Sequence, residues 1–417
     1  MHYEMEEEEH VVYPDDPDFD INKARLFTTV PRICVRYECV PMRFIKHVYK
    51  IHTYTQEGRL FEGKTPASAF LNSSYDGSFI AGLMELRYIQ SLPVERIINY
   101  FESHGFTLKK PTAHKLIEKA SSLFENLYKC IRQTALSDPY KAADETYYKI
   151  LVPEKNSKGK GVRKGYLWVV VGINTRMIYL LYDDGSRSER VILNELGSCK
   201  GIIQSDGYSP YRKLESDAYP NITRIPCLQH IKRKFIDCGE KDPDAKRIVE
   251  LINALYQNEH KHKVGVEGWT VEQNLMHRKK YAPDILGEIK DVLDEIEERG
   301  DLLPKSELQE AITYLRNEWN AVVDIFNYGD TYLDNNMVER MNRYISLSRK
   351  NSLFFGSHKG AERGAILYTI ALTCRMHKVN LFEYLTDVIN RTAEWQPNTP
   401  IEKYRELLPD RWEKAND

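Results

Sequence analysis

Hydrophobic positions along this chain change their spacing several times, and each change marks a boundary. Between residues 67 and 128 they recur at helical intervals. Phe79, Leu83, Leu86 and Ile89 mark one helix, and Val94, Ile97, Ile98 and Phe101 a second. Gly105 then breaks the chain, and Thr112, His114 and Lys115 begin a third helix containing Leu116 and Ile117. A short helix, a Gly turn and a polar-fronted helix fit a helix-turn-helix; a helical bundle that only props the next domain fits equally well.

From residue 141 the texture becomes that of strands. Residues 146–152 form one candidate, the near-continuous apolar run 166–171 a second and 177–182 a third, with 172–176 as a hairpin connection. Residues 189–196 read as a helix and 202–205 as a short strand ending at Asp206-Gly207-Tyr208. Residues 222–227 are another strand, followed by a helix through His230, Lys232, Arg233, Lys234 and Phe235. Three antiparallel strands, then alternating helix and strand, predict a mixed α/β sheet.

Residues 241–326 return to helical stripes: Ile248, Leu251, Ile252 and Leu255; Ile285, Ile289, Val292 and Ile296; Leu308, Ile312, Leu315 and Trp319. This is an all-helical insertion. Beyond it, Met337, Met341 and Ile345 give one buried face of a helix, with Asn335, Glu339 and Asn342 on a neighbouring face. Residues 361–377 and 381–390 are further helices, and the Pro-containing tail from Trp395 is expected to be extended. Upstream, residues 1–20 are polar and acidic, and 26–52 read as a small strand pair. The expected division is 1–64, a short polar N-terminus with a small β segment; 65–140, a helical, helix-turn-helix-like DNA-binding region; 141–240, the first part of a catalytic core; 241–326, the helical insertion; 327–392, the rest of the core with C-terminal helices; and 393–417, the tail.

A net charge of −2 over 417 residues hides local clusters. Acid collects at Glu4, Glu6, Glu7, Glu8 and Glu9, and base around 155–164, 232–234 and 340–363, so the total does not exclude a nucleic-acid partner. Seven cysteines without a CxxC pair make neither a disulfide framework nor a clear zinc site. Cys34 and Cys39, with His47 or His52, have the wrong spacing for a zinc knuckle, and Cys227 and His230 are half a site without a convincing second half. No apolar run reaches membrane length and the acidic N-terminus is unlike a signal peptide, so a reducing cytoplasmic location is expected.

Three acids stand where a sheet could gather them: Asp144 at the start of the first sheet segment, Asp206 after the fourth strand, and Glu339 after the insertion. Each has a structural reading of its own. Asp144 can simply begin a strand, Asp206-Gly207 is a common turn pair, and Asn336-x-x-Glu339 fits a capping box. Brought together, the three would repel unless divalent cations neutralised them. Oxygen-only ligands suit Mg²⁺ or Mn²⁺, and two such ions serve phosphoryl transfer.

The local wording around these acids is more specific. Ala143-Asp144-Glu145-Thr146, Lys164-Gly165-Tyr166-Leu167-Trp168, Ser205-Asp206-Gly207-Tyr208 with Tyr211, and the run from Cys227 through His230 to Phe235 occur in order. Asp334-Asn335-Asn336-Met337-Val338-Glu339-Arg340 and the run from Arg349 to Ser357 follow. Over roughly residues 65–390 the chain resembles a bacterial insertion-sequence-66 family DDE transposase. The resemblance implies a ribonuclease-H-like catalytic core in which Asp144, Asp206 and Glu339 bind two Mg²⁺ (or Mn²⁺) ions, cut the element's ends and join them to target DNA. Double-stranded DNA, as terminal inverted repeats and target, would be the partner, with a homo-oligomer on DNA and accessory transposition proteins in addition. The pattern departs from the family in its short N-terminal region, where Cys34 and Cys39 lack partners, and at Leu228-Gln229, where a Trp-Ala pair is common. Arg340, Arg343, Arg349 and Lys350 lie beside the third acid and suit phosphate contacts. Lys359 and Arg363 follow, and Lys232, Arg233 and Lys234 have weaker claims. The competing readings are a catalytically inactive DNA-binding remnant or regulator of transposition, and a plain metal-dependent nuclease.

Overall fold

A computed structural model describes residues 42–48, 53–56, 59–62, 69–70, 73–155, 159, 161–239, 242–261, 269–393, 395–396 and 398–414. The strand expected around Cys34 and Cys39, those two cysteines and His52 lie outside the described residues. Strands β1 (Thr53–Gln56) and β2 (Arg59–Glu62) form a separate antiparallel pair. Four helices follow: α1 (Gly77–Tyr88), α2 (Val94–Ser103), α3 (Lys110–Leu123) and α4 (Glu125–Ser137). The rings of Phe79, Phe101 and Phe106 meet Phe44 at centroid distances of 5.9, 5.0 and 4.8 Å, so the α1–α2 pair shares an aromatic core.

A five-stranded mixed sheet comes next, made of β3 (Tyr140–Leu151), β4 (Val162–Gly172), β5 (Ile178–Leu181), β6 (Gly201–Ser205) and β7 (Ile222–Pro226) in the order β5-β4-β3-β6-β7. The first three strands are antiparallel, whereas β6 runs parallel to β3 and β7 parallel to β6. The helix α5 (Glu189–Leu196) carries the chain from β5 to β6, and α6 (Ser209–Arg212) with a 3-10 turn (Lys213–Glu215) from β6 to β7. Every residue from Leu167 to Val171 of β4 is buried, which is why this strand reads as an unbroken apolar run. Helix α4 packs on β4 and β5, and its Tyr128 hydroxyl donates to the Leu180 carbonyl at 3.0 Å.

After β7 come α7 (Leu228–Asp237) and the helical insertion of α8 (Pro243–Lys261), α9 (Val271–Arg299) and α10 (Glu307–Ile325). The chain returns to the sheet as α11 (Asn336–Asn351), then α12 (His358–Met376), α13 (Leu381–Ala393) and α14 (Ile401–Arg405). Arg224 on β7 ties the insertion to the sheet: it donates to Glu318 of α10 at 2.5 Å, and both side chains are fully buried.

Two expectations change. The first sheet strand starts at Tyr140, not 146, and so holds Asp144 within it rather than at its start. Lys141, Ala142 and Ala143 disguise that stretch because none has a strand-like side chain. Lys141 is nevertheless buried, its ammonium donating to the Lys200 carbonyl at 2.9 Å. The tail also differs: it forms α14 and returns to the core with Leu407 and Leu408 buried, the Leu407 carbonyl accepting from Tyr384 Oη at 2.7 Å. Among the described residues no helix is long and apolar enough to cross a membrane.

Candidate active site

Asp144 and Asp206 owe their proximity to strand register. In the parallel pair β3–β6, Ala142 faces Gln204. Asp144 and Asp206 each lie two residues further on, so continuing that register brings them to matching positions on neighbouring strands. β6 ends at Ser205, which leaves Asp206 at the mouth of the sheet. Its Oδ1 accepts from Tyr208 N at 3.0 Å, and its carbonyl from Arg224 Nη2 at 2.8 Å.

Helix α11 packs along β3 and β4. Asn335, not Asn336, is its N-cap, so the capping box expected from Asn336 is not formed; the Asn335 side chain instead donates to the Ala143 carbonyl at 3.1 Å. Two turns on, Asn342 donates from Nδ2 to Asp144 Oδ2 at 2.5 Å. Glu339 sits between these two asparagines on the same face. Its Oε1 lies 3.8 Å from His230 Nδ1, and both atoms are buried without a hydrogen-bond partner. Cys227, His230 and Glu339 have ligand atoms all within 4.8 Å of one another. The Cys227 thiol is pushed up to about 12 by burial, while Asn335 N donates to its sulfur at 3.2 Å. Thus Asp144 and Asp206 meet through the sheet, and Glu339 lies against His230 and Cys227 on the helix beside Asp144.

Burial, reinforced by the charges of Glu145 and Asp206, pushes Asp144 up to about 8 despite the bonds it accepts from Glu145 N and Asn342. Like charges gathered without a compensating cation are what a divalent ion would relieve, and the oxygen donors suit a hard one. Glu145, also raised by burial, is held by Arg187 Nε at 3.1 Å and Tyr211 Oη at 3.4 Å. Arg187 lies over the Tyr208 ring at 4.2 Å. Glu145 adjoins an expected site residue, but Arg187 sits in a turn with no periodic signal, so only the fold reveals their pairing. A cleft of about 370 Å³ opens beside Asp206 and is also lined by His230, Arg233, Lys234 and Tyr314.

Of the basic residues after Glu339, Arg340, Arg343 and Lys350 are exposed on α11. Arg349 is held over the Tyr147 ring at 3.9 Å and donates to the Tyr147 carbonyl at 2.5 Å. Arg363 is paired with Glu118 of α3.

Residues 72–363 match the model of the Transposase IS66 family, which is most of the chain. Similar proteins include the uncharacterized protein y4jD of Sinorhizobium fredii (strain NBRC 101917 / NGR234), 25% identical over 85% of this chain and 70% of its own length. The uncharacterized protein y4hP of the same strain is 23% identical over 99% of this chain and 76% of its own length. The chain belongs to the Transposase IS66 family. Membership points to a role in transposition and implies DNA as the substrate.

Proposed function

We propose that this member of the IS66 transposase family is an active DDE-type enzyme that cuts the ends of an insertion sequence and joins them to target DNA. The observation that carries this reading is the pairing of Ala142 with Gln204 on neighbouring parallel strands, which carries Asp144 and Asp206, each two residues on, toward one another, with α11 laid beside them through Asn335 and Asn342. We read the sheet, with three antiparallel strands followed by two parallel ones, as a ribonuclease-H-like core running from 141 to 240 and resuming at 327–392. The α2–α3 pair serves in this reading as a helix-turn-helix-like element contacting the terminal repeats, and 241–326 is an insertion within the core.

Asp144, Asp206 and Glu339 would hold the divalent cations. The chemistry that two bound Mg²⁺ (or Mn²⁺) ions supply is activation of a water or 3′-hydroxyl and stabilisation of the leaving oxygen. Asn342 fixes the orientation of the Asp144 carboxylate through its 2.5 Å bond. Arg224 does the same for the Asp206 backbone from the buried side. Arg340, Arg343, Arg349 and Lys350 would contact phosphates and set the register of the scissile bond, as backbone contacts do in protein–DNA complexes generally. A homo-oligomer on DNA would bring two element ends together.

The test is strand transfer with DNA that flanks this gene, in Mg²⁺ or Mn²⁺. Joined product, dependent on the ion, is expected. End-specific binding with no joined product in either ion would overturn the enzymatic reading in favour of a regulator.

A further inference from the structure

The cleft of about 370 Å³ next to Asp206 is at the small end of the roughly 300–1,000 Å³ range of ligand pockets, sized for one nucleotide unit and far too small for a duplex. Its position is informative. Asp206 forms one wall and His230 another, and His230 Nδ1 lies 3.8 Å from Glu339. The cleft therefore opens between the second and third of the proposed acids, at a place that a DNA strand crossing the site would enter.

Its positive charges are of two kinds, and Asp237, exposed on α7, adds a second carboxylate to that of Asp206 on the lining. Arg187 is already committed, bonded to Glu145 and stacked over Tyr208. Arg233 and Lys234 are exposed on α7 and carry no ion pair to a carboxylate among the described residues. Lys234 Nζ is held 5.8 Å above the Tyr314 ring. Tyr314, from the insertion helix α10, accepts from Gly207 N at 2.9 Å, so the lip of the cleft is fastened to the turn that carries Asp206. A side chain at position 207 would put its Cβ 2.4 Å from the Tyr314 hydroxyl, and glycine is what permits this contact. Two cations without a carboxylate partner, carried by α7 on a cleft wall shared with Asp206, suit an anion bound near the reacting group.

We infer that this cleft is a subsite for a single backbone phosphodiester of the DNA strand next to the scissile one, held by Arg233 and Lys234. This rests on the reading of Asp206 as a catalytic acid, and it gives α7 and the insertion a direct role in placing the strand.

The experiment scans end DNA from the gene's flank with single neutral methylphosphonates on either side of the element–flank junction. Binding to the full chain is measured in EDTA, where no cleavage occurs. One methylphosphonate is expected to weaken binding to the unaltered protein by about tenfold. R233A/K234A, whose unfolding midpoint should be unchanged because both residues are exposed, is expected to bind unmodified DNA about tenfold more weakly and to lose sensitivity to that one position. Losses that multiply at every position, or a double variant that binds like the unaltered protein, would overturn the subsite. Because this readout needs neither a metal ion nor turnover, it stands or falls separately from cleavage by Asp206 variants.

Discussion

The Glu339 carboxylate lies 3.8 Å from the Nδ1 atom of His230, and neither atom has a hydrogen-bond partner. The imidazole is thus a close polar neighbour of this carboxylate oxygen and limits where it can move. His230→Ala should therefore loosen Glu339 without removing an acid. The expected outcome is a severalfold rise in the Mg²⁺ concentration needed for half-maximal cleavage, with little loss of rate at saturating ion. An unchanged Mg²⁺ dependence would mean that His230 has no part in positioning Glu339.

Asp144 gives a stability signature without any catalysis. Its carboxyl is pushed up to about 8 by burial and by Glu145 and Asp206, so between about pH 4 and 8 the folded state holds more protons there than the unfolded state. Metal-free stability should consequently fall as pH rises through that window, by at most about 1.4 kcal/mol per pH unit from this group. Asp144→Asn should flatten the fall, which urea unfolding in EDTA from pH 5 to 8 would reveal. Parallel curves for the two proteins would contradict the assignment of the shift to Asp144.

Divalent ions should reverse that penalty, since a ligand that binds only the folded state stabilises it in proportion to the logarithm of its concentration. Adding Mn²⁺ at pH 8 is expected to raise the unfolding midpoint of the unaltered chain and to leave that of Asp144→Asn nearly unmoved. Equal shifts in both would place the binding elsewhere.

Arg224 and Glu318 form a buried ion pair that also supports the Asp206 carbonyl. Removing one partner strands the other charge, so Glu318→Ala should cost about 3 kcal/mol in urea unfolding. Arg224 also donates to Glu215 Oε1 at 2.5 Å, and a loss below about 0.5 kcal/mol would show that this second contact suffices.

The exposed and paired basic residues should separate in salt titrations of DNA binding. Arg343→Ala and Lys350→Ala are each expected to reduce the slope of log affinity against log salt by about one, uniformly across sequences. Arg363, already paired with Glu118, should leave the slope unchanged when replaced by Ala. Equal effects for all three would mean that the pair opens to reach DNA.

Much of this organisation was legible in the chain because it is local. The helix at 189–196 agrees with α5 at both ends, and the apolar run at 166–171 lies inside β4. The start of β3 was not legible, since a buried lysine bonded to carbonyls and two alanines carry no strand signature. Asp144, Asp206 and Glu339 stood out by their wording, and Asn335 and Asn342 fell on the face of Glu339, but what these residues touch was not legible. The Arg187–Glu145 pair, the asparagines that brace α11 on β3, and the cleft between α7 and α10 all come from contacts between segments far apart in sequence. The Trp395 tail read as extended because its prolines are local, whereas the burial of Leu407 and Leu408 depends on a groove made by other helices.

The most direct measurement is cleavage of element-end DNA by Asp206→Asn. The side chain keeps its size and its acceptor oxygen for Tyr208 N, but loses the charge needed beside Asp144. Metal-dependent cleavage should be abolished while end binding in EDTA stays within about twofold of the unaltered protein. Cleavage at the unaltered rate would contradict the assignment of Asp206 to the catalytic acids.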